Sequence, residues 1–292
     1  MCRSSERGLP PALLPYLRLV RAPAVFSALG DPLAGLLIGA GALESGRGAR
    51  LATGSALMYL AGMALNDLAD REEDARERPE RPIPSGAISP RTAAIVGGTL
   101  LVAGIGAARG AGARWTGPAL AALIVAYDFK LKHSATLGPI AMGACRSLSL
   151  LMGVEAAGGL SGATRGPEAA VLLGTYVAGL TLLARSETGA ARSAELRGGA
   201  ALAATALLVA AVRGGPSSAL WAAAVVAVSG PAVTRALKEP GPATVGPAVG
   251  ALIRAVPALD GALIGTSASV PALLLVSLLA LTHCGRKLIP IT

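Results

Sequence analysis

Residues 51–84 read LATGSALMYLAGMALNDLADREEDARERPERPIP, and the fold turns on how that stretch changes character at Asn66. Leu51 to Leu65 carries no charge, and Asp67, Asp70 and Asp74 then follow in quick succession. Carboxylates clustered at the mouth of an apolar helix are costly to place and mark function by default. Continued as a helix, the three aspartates stand at i, i+3 and i+7 and project from one face; Asn66, four residues before Asp70, joins them. Three hard oxygen donors in one sector suit Mg²⁺, which takes a few carboxylates together with phosphate oxygens. The basic run that follows, Arg76, Arg78 and Arg81, suits a diphosphate. The competing reading is a solvated, charge-mixed loop, which would not be expected to set every aspartate on one helical face.

Composition points to lipid as the solvent. Of the 292 residues, 53% are hydrophobic and only 15% charged, with a mean hydropathy of +0.60. Abundant Ala, Gly and Leu with few aromatics fit closely packed transmembrane helices. The net charge of +9 sits in short loops rather than in a stripe with aromatic platforms, so nucleic acid is not a partner. Cys2, Cys145 and Cys284 show no paired spacing, and two histidines, His133 and His283, exclude a histidine-rich metal site. Arg3, Arg7, Arg18 and Arg21 precede a long apolar run without a cleavage-like exit. That run is expected to be the first span, with 1–21 as a cytoplasmic segment.

Apolar segments fall at 22–43, 51–69, 91–109, 115–129, 138–157, 168–185, 198–213, 217–237, 244–265 and 268–284. Most approach the ~20 residues a bilayer span needs. Backbone groups in lipid must be satisfied within each segment, so these are helices. The expectation is an all-α, polytopic membrane protein with nine or ten transmembrane helices in a single domain, residues 1–292, the last two segments forming two helices or one broken element. Pro139, Pro247 and Pro257 predict kinks. With the N-terminus inside, the far side holds only Arg47, Arg50, Arg109, Arg114, Arg165 and Arg213, and most other Lys and Arg fall on the cytoplasmic side. The positive-inside rule then makes the aspartate cluster cytoplasmic, in a multi-pass protein of the cell membrane.

The second, fourth, sixth and eighth segments end on that same side. The fourth ends Tyr127-Asp128-Phe129-Lys130-Leu131-Lys132-His133, where Lys130 and Lys132 suit phosphate and an interfacial tyrosine with snorkelling lysines is an equal reading. The sixth ends Arg185-Ser186-Glu187, equally a functional pair or an ordinary loop start. Arg146 lies about two turns inside the fifth segment and must face the interior, a partner or water, as a diphosphate or carboxylate contact. Asp31, Glu155, Arg254 and Asp260 raise the same question with weaker support, and for Glu155 and Asp260 a position near a span end is the alternative reading.

Asn66-Asp67-x-x-Asp70-x-x-x-Asp74 with Arg78-Pro79-x-Arg81-Pro82-Ile83-Pro84-Ser85-Gly86 resembles the first signature of the UbiA family of intramembrane prenyltransferases. Tyr127 to Lys132 with Thr136-Leu137-Gly138-Pro139 is similar to that family's next cytoplasmic loop, and Arg21-Ala22-Pro23 agrees with its opening. The resemblance implies nine helices around a central cavity with a polar cytoplasmic mouth. It implies Mg²⁺-dependent transfer of an isoprenoid, an alkyl group, from an allylic prenyl diphosphate to a small acceptor. By resemblance, Asn66, Asp67, Asp70 and Asp74 hold Mg²⁺ and diphosphate. The same resemblance implies that Arg81 and Lys132 clamp phosphate oxygens and that Tyr127 stands near the reacting carbon; Arg78, Lys130, Arg146 and Arg185 are further candidates for the diphosphate, and Asp128 and Glu187 for the acceptor or another role.

One departure stands out. Many members carry a second Asp-x-x-x-Asp pair where this chain has Arg185-Ser186-Glu187. That run, with Tyr127-Asp128 and Gly143-x-Cys145-Arg146, resembles the divergent EboC-like branch. The expectation is a prenyltransferase. The alternatives are a binding or export protein that reuses the fold, and a prenyl-diphosphate enzyme that makes or cleaves a lipid anchor.

Overall fold

The computed structural model describes residues 12–22, 25, 28–159, 165–186 and 193–265. Among these, ten α-helices and one 3-10 turn make up the regular structure. They are α1 (Leu14–Leu19), α2 (Gly30–Ala40), α3 (Ser45–Ala69), α4 (Arg71–Glu77), α5 (Pro90–Ala111), α6 (Thr116–Phe129), α7 (Leu137–Ala156), α8 (Arg165–Ala184), α9 (Ser193–Lys238) and α10 (Pro242–Ile264). The 3-10 turn, Leu131–His133, joins α6 to α7.

The chain is all-helical, with its polarity turned inside out. Ile95, Val102, Ile140, Val171, Leu208, Val212 and Leu220 are exposed, whereas Asp31, Asp67, Asp74, Asp128 and Asp260 are buried. In water that pattern would be costly; in lipid the apolar flank is the solvated one. Helices α5, α7, α8, α9 and α10 are long and apolar enough to cross a membrane, and α2 and α6 are shorter apolar helices. The segment 268–284 lies outside the described residues.

The expected spans 198–213 and 217–237 are the two arms of α9. As one straight rod its 46 residues would run about 69 Å, more than twice a bilayer's hydrocarbon core. Gly215, at φ 79° and ψ −164°, breaks it. Only glycine takes that conformation freely, and the following Pro216 keeps its neighbour out of helical geometry. Pro139 is not a kink. It lies in the first turn of α7, where a missing N–H has no intrahelical partner to lose. The first span is also shorter than expected, α2 starting at Gly30 rather than residue 22.

Apolar side chains gain little by leaving lipid for a helix interface, so close backbone approach holds the bundle. Gly35 of α2 lies against the Leu150 carbonyl of α7, and Gly153 of α7 against the Pro32 carbonyl of α2. Gly54 and Gly104 do the same for α3 and α5, Gly143 and Gly174 for α7 and α8, and Gly179 and Gly199 for α8 and α9. These crossings bring the ends of α3, α6 and α8 and the start of α7 to one end of the bundle. Glu155 fixes the other end, accepting from the Thr116 amide at 2.9 Å and its hydroxyl at 2.5 Å to cap α6. Arg254 faces outward.

Candidate functional site

The helix carrying the aspartates does not run straight through. It is interrupted at Asp70, which caps α3 and opens α4, although Asp70, Asp74 and Arg78 amides each still reach the carbonyl four residues back. Asp67 and Asp74 therefore share a side, and Asp70 turns away from them.

The loop from Arg78 to Ile88 folds back over that side. Ile83 and Ile88 are buried with Leu19, Ala64 and Ala93, a small apolar knot that anchors the loop to α3 and α5. Gly86, at φ 75°, makes the turn, and Ser89 caps α5 by accepting from the Thr92 amide at 3.1 Å. The anchored loop leaves Arg81 only 8% exposed. Its Nη1 donates to Asp74 Oδ2 at 2.6 Å and to Asp67 Oδ1 at 3.4 Å. Arg78 stands 3.6 Å from Asp74 Oδ1. From the N-terminal side, Arg21 Nη2 donates to Asp67 Oδ1 at 2.9 Å. Arg21 is the one non-glycine residue with positive φ, 46°, among those described, a strain its ion pair helps to hold.

Across the mouth, Lys132 Nζ lies 2.6 Å from Asp70 Oδ1, a close ion pair without hydrogen-bond geometry. Asn66 Nδ2 donates to Asp128 Oδ1 at 3.3 Å, and Asp128 Oδ2 is buried without a partner. Half-buried Tyr127 lies within electrostatic reach of Asp70, Cys145 and Arg185. Arg185 Nε is buried without a partner. Lys130 is exposed, and Glu187 lies outside the described residues. Arg146 points elsewhere: its Nη2 donates to Asp31 Oδ1 at 2.7 Å inside the bundle.

The structure thus gathers Asn66, Asp67, Asp70, Asp74, Arg78, Arg81, Tyr127, Asp128, Lys132 and Arg185 at one end, leaves Lys130 exposed at the end of α6, and turns Arg146 toward Asp31. Arg21 was legible only as part of the opening motif, because its partner lies 46 residues away.

Among the described residues, no three acidic, His or Cys side chains close around a point as a protein-only metal cage would. Mg²⁺ does not need such a cage, since it keeps waters and adds phosphate oxygens to one or two carboxylates. The donors fit that mode: Asp70 and Asp128 are within electrostatic reach of each other, Asn66 stands beside them, and Asp128 offers an oxygen with no other partner. A cavity of about 450 Å³ between α8, α9 and α10 lies at the opposite end, by the exposed Glu168–Arg213 pair. None of these candidate residues lines it.

A family model described as the UbiA prenyltransferase family matches residues 32–185. A digeranylgeranylglyceryl phosphate synthase of Methanothrix thermoacetophila is 45% identical over 73 residues, 25% of this chain and 27% of that protein. A 4-hydroxybenzoate octaprenyltransferase of Paracidovorax citrulli is 35% identical over 159 residues, 51% of this chain and 53% of that protein. The matches thus span about half or less of the length of these curated relatives. A solved UbiA homolog from Archaeoglobus fulgidus, bound to GPP and Mg²⁺, shares the fold with a TM-score of 0.58 over 94% of this chain and 99% of that one, at 15% identity.

Proposed function

Because this chain belongs to the UbiA prenyltransferase family, we propose that it moves an isoprenoid group from an allylic prenyl diphosphate to a small acceptor, with Mg²⁺, at the cytoplasmic mouth of its helix bundle. The observation that carries this reading is the meeting of Asp67, Asp70 and Asp74 with Arg21, Arg81 and Lys132, drawn from separate stretches of chain, at the end of an apolar bundle. The ligands of the Archaeoglobus fulgidus structure, GPP and Mg²⁺, agree with it.

Asp70, Asp128 and Asn66 would hold Mg²⁺, with Asp67 and Asp74 behind them. Bound there, the ion would neutralise the diphosphate and ease its departure. The chain's own cations prepare for the same event. They rest on carboxylates; an arriving diphosphate would offer them oxygens in exchange, and Mg²⁺ would supply the counter-charge that the carboxylates give up. Arg81 presents a planar fork suited to two phosphate oxygens, and Lys132 a compact point charge. Arg78 and Lys130, nearer solvent, would guide the anion in. Tyr127 presents its ring and hydroxyl where positive charge develops on the allylic carbon. Arg185 brings a cation to the side where many members carry a second aspartate pair. The apolar helices shield the developing cation from water.

The test is purified protein in nanodiscs, given radiolabelled prenyl diphosphates, Mg²⁺ and a cell extract. The expected result is a lipid-soluble labelled product with diphosphate release, both lost in Asp70→Asn. If neither product nor release is seen, the binding or export alternative replaces this reading.

A further inference from the structure

Beneath the mouth lies a second polar group that the proposed chemistry does not use. Asp260 of α10 is 0% exposed, and neither of its carboxylate oxygens has a hydrogen-bond partner. It lies within electrostatic reach of Asp31 and Arg146. Asp31, also 0% exposed, is bonded to Arg146 through Oδ1, while its Oδ2 has no partner. Three helices, α2, α7 and α10, thus converge on two carboxylates, one guanidinium and three unpartnered acceptor oxygens.

A structural tie would be complete with Asp31 and Arg146 alone. The second carboxyl group adds buried polar oxygens and, in the described structure, no bond, an arrangement that penalises the fold unless something binds it. Charged groups at this depth in a membrane protein line substrate paths by default. The group that completes the cluster donates hydrogen bonds to these oxygens, and an anionic one would find Arg146 already engaged by Asp31. Cys145, next to Arg146, lies within electrostatic reach of Asp128, and Tyr127 within reach of Cys145.

We propose that Asp260 and Asp31, positioned by Arg146, recognise the acceptor, and that this acceptor presents hydroxyl or amino groups rather than a carboxylate or phosphate. The inference rests on the prenyltransferase reading and sharpens it. A carboxylate such as that of 4-hydroxybenzoate, the acid in one relative's name, would find the guanidinium of Arg146 already engaged by Asp31. Transfer breaks the allylic C–O bond to diphosphate and forms a C–O or C–N bond to the acceptor. The acceptor's proton is released to the departing diphosphate, whose oxygens accept it.

The test uses the full purified chain with Mg²⁺ and radiolabelled geranyl diphosphate, offered myo-inositol, ethanolamine or 4-hydroxybenzoate. Asp260→Leu removes buried polar oxygens that have no partner, so it is expected to unfold at or above the wild-type temperature; Asp260→Asn is the conservative companion. A hydroxyl or amino probe is expected to raise the unfolding temperature and yield extractable product, both weakened about tenfold or more in Asp260→Leu. Diphosphate release by the wild type without acceptor reports on the prenyltransferase assignment separately. The thermal shift reads the acceptor site even where release fails. The proposal is overturned if 4-hydroxybenzoate is bound or used as well as the other probes. It is equally overturned if Asp260→Leu responds as wild type does, or if no hydroxyl or amino probe shifts unfolding.

Discussion

Arg81 sets a guanidinium nitrogen 2.6 Å from Asp74 Oδ2, joining two residues across the turn that closes the charged segment. The same nitrogen reaches Asp67 at 3.4 Å, so one cation holds both carboxylates in place. Replacing it with alanine strips the nearest counter-charge from buried Asp74 and leaves Asp67 to Arg21 alone. Arg81→Ala is expected to cost on the order of 3 kcal/mol, read as a lowered unfolding temperature in detergent. Arg81→Lys, which keeps the charge but not the fork, should recover part of the stability and little of the diphosphate affinity.

Lys132 meets Asp70 at 2.6 Å but without hydrogen-bond geometry, which leaves its donors available to a phosphate oxygen. Lys132→Ala is therefore expected to raise KM for prenyl diphosphate about tenfold, the scale of one charge-assisted contact. Its unfolding temperature should stay near that of the wild type. Steady-state kinetics beside a melting curve separate the two effects.

Glu155 looked from sequence like another buried charge in search of a role, and the structure makes it a cap on α6 at the end away from the mouth. Glu155→Ala should cost about 1–2 kcal/mol, as lost helix caps do. Its KM for prenyl diphosphate should be unchanged. A substantial shift in that KM would place the residue in the site instead.

A Cβ on Gly153 would run into the Pro32 carbonyl, whereas one on Gly98 would meet nothing within 4 Å. Gly153→Ala is expected to lose about 1–3 kcal/mol through forced separation of α2 and α7. Gly98→Ala is expected to be neutral or to gain up to about 1 kcal/mol. Paired melting curves of the two variants test whether glycine crossings hold the bundle.

Removing the surface pair by Glu168→Gln should change stability by less than about 1 kcal/mol, since exposed ion pairs contribute little. Turnover should be unaffected, because that pair lies at the opposite end from the mouth.

Much of this was legible in the sequence where the signal is local. The charge-free run 51–65 followed by Asp67, Asp70 and Asp74 placed the cluster at a helix end, and Gly214-Gly215-Pro216 separated the two arms of α9. Pairings between distant residues left no such trace. Arg21 with Asp67 and Arg146 with Asp31 are 46 and 115 residues apart, and only the fold brings them together. Arg146 was readable as interior-facing, yet not as turned from the mouth toward α2. Nor did helical periodicity reveal the break at Asp70, which rotates that carboxylate toward Lys132.

The central claim, a Mg²⁺-dependent prenyl-diphosphate site built on these aspartates, is tested most directly by equilibrium binding of a non-ionising geranyl diphosphate analogue to the purified protein. Wild type, Asp67→Asn and Asp70→Asn would be compared with Mg²⁺ and with EDTA. The account predicts tight binding by the wild type that EDTA abolishes and that each substitution weakens about tenfold or more. Equal affinity in all three proteins, or binding indifferent to Mg²⁺, would contradict it.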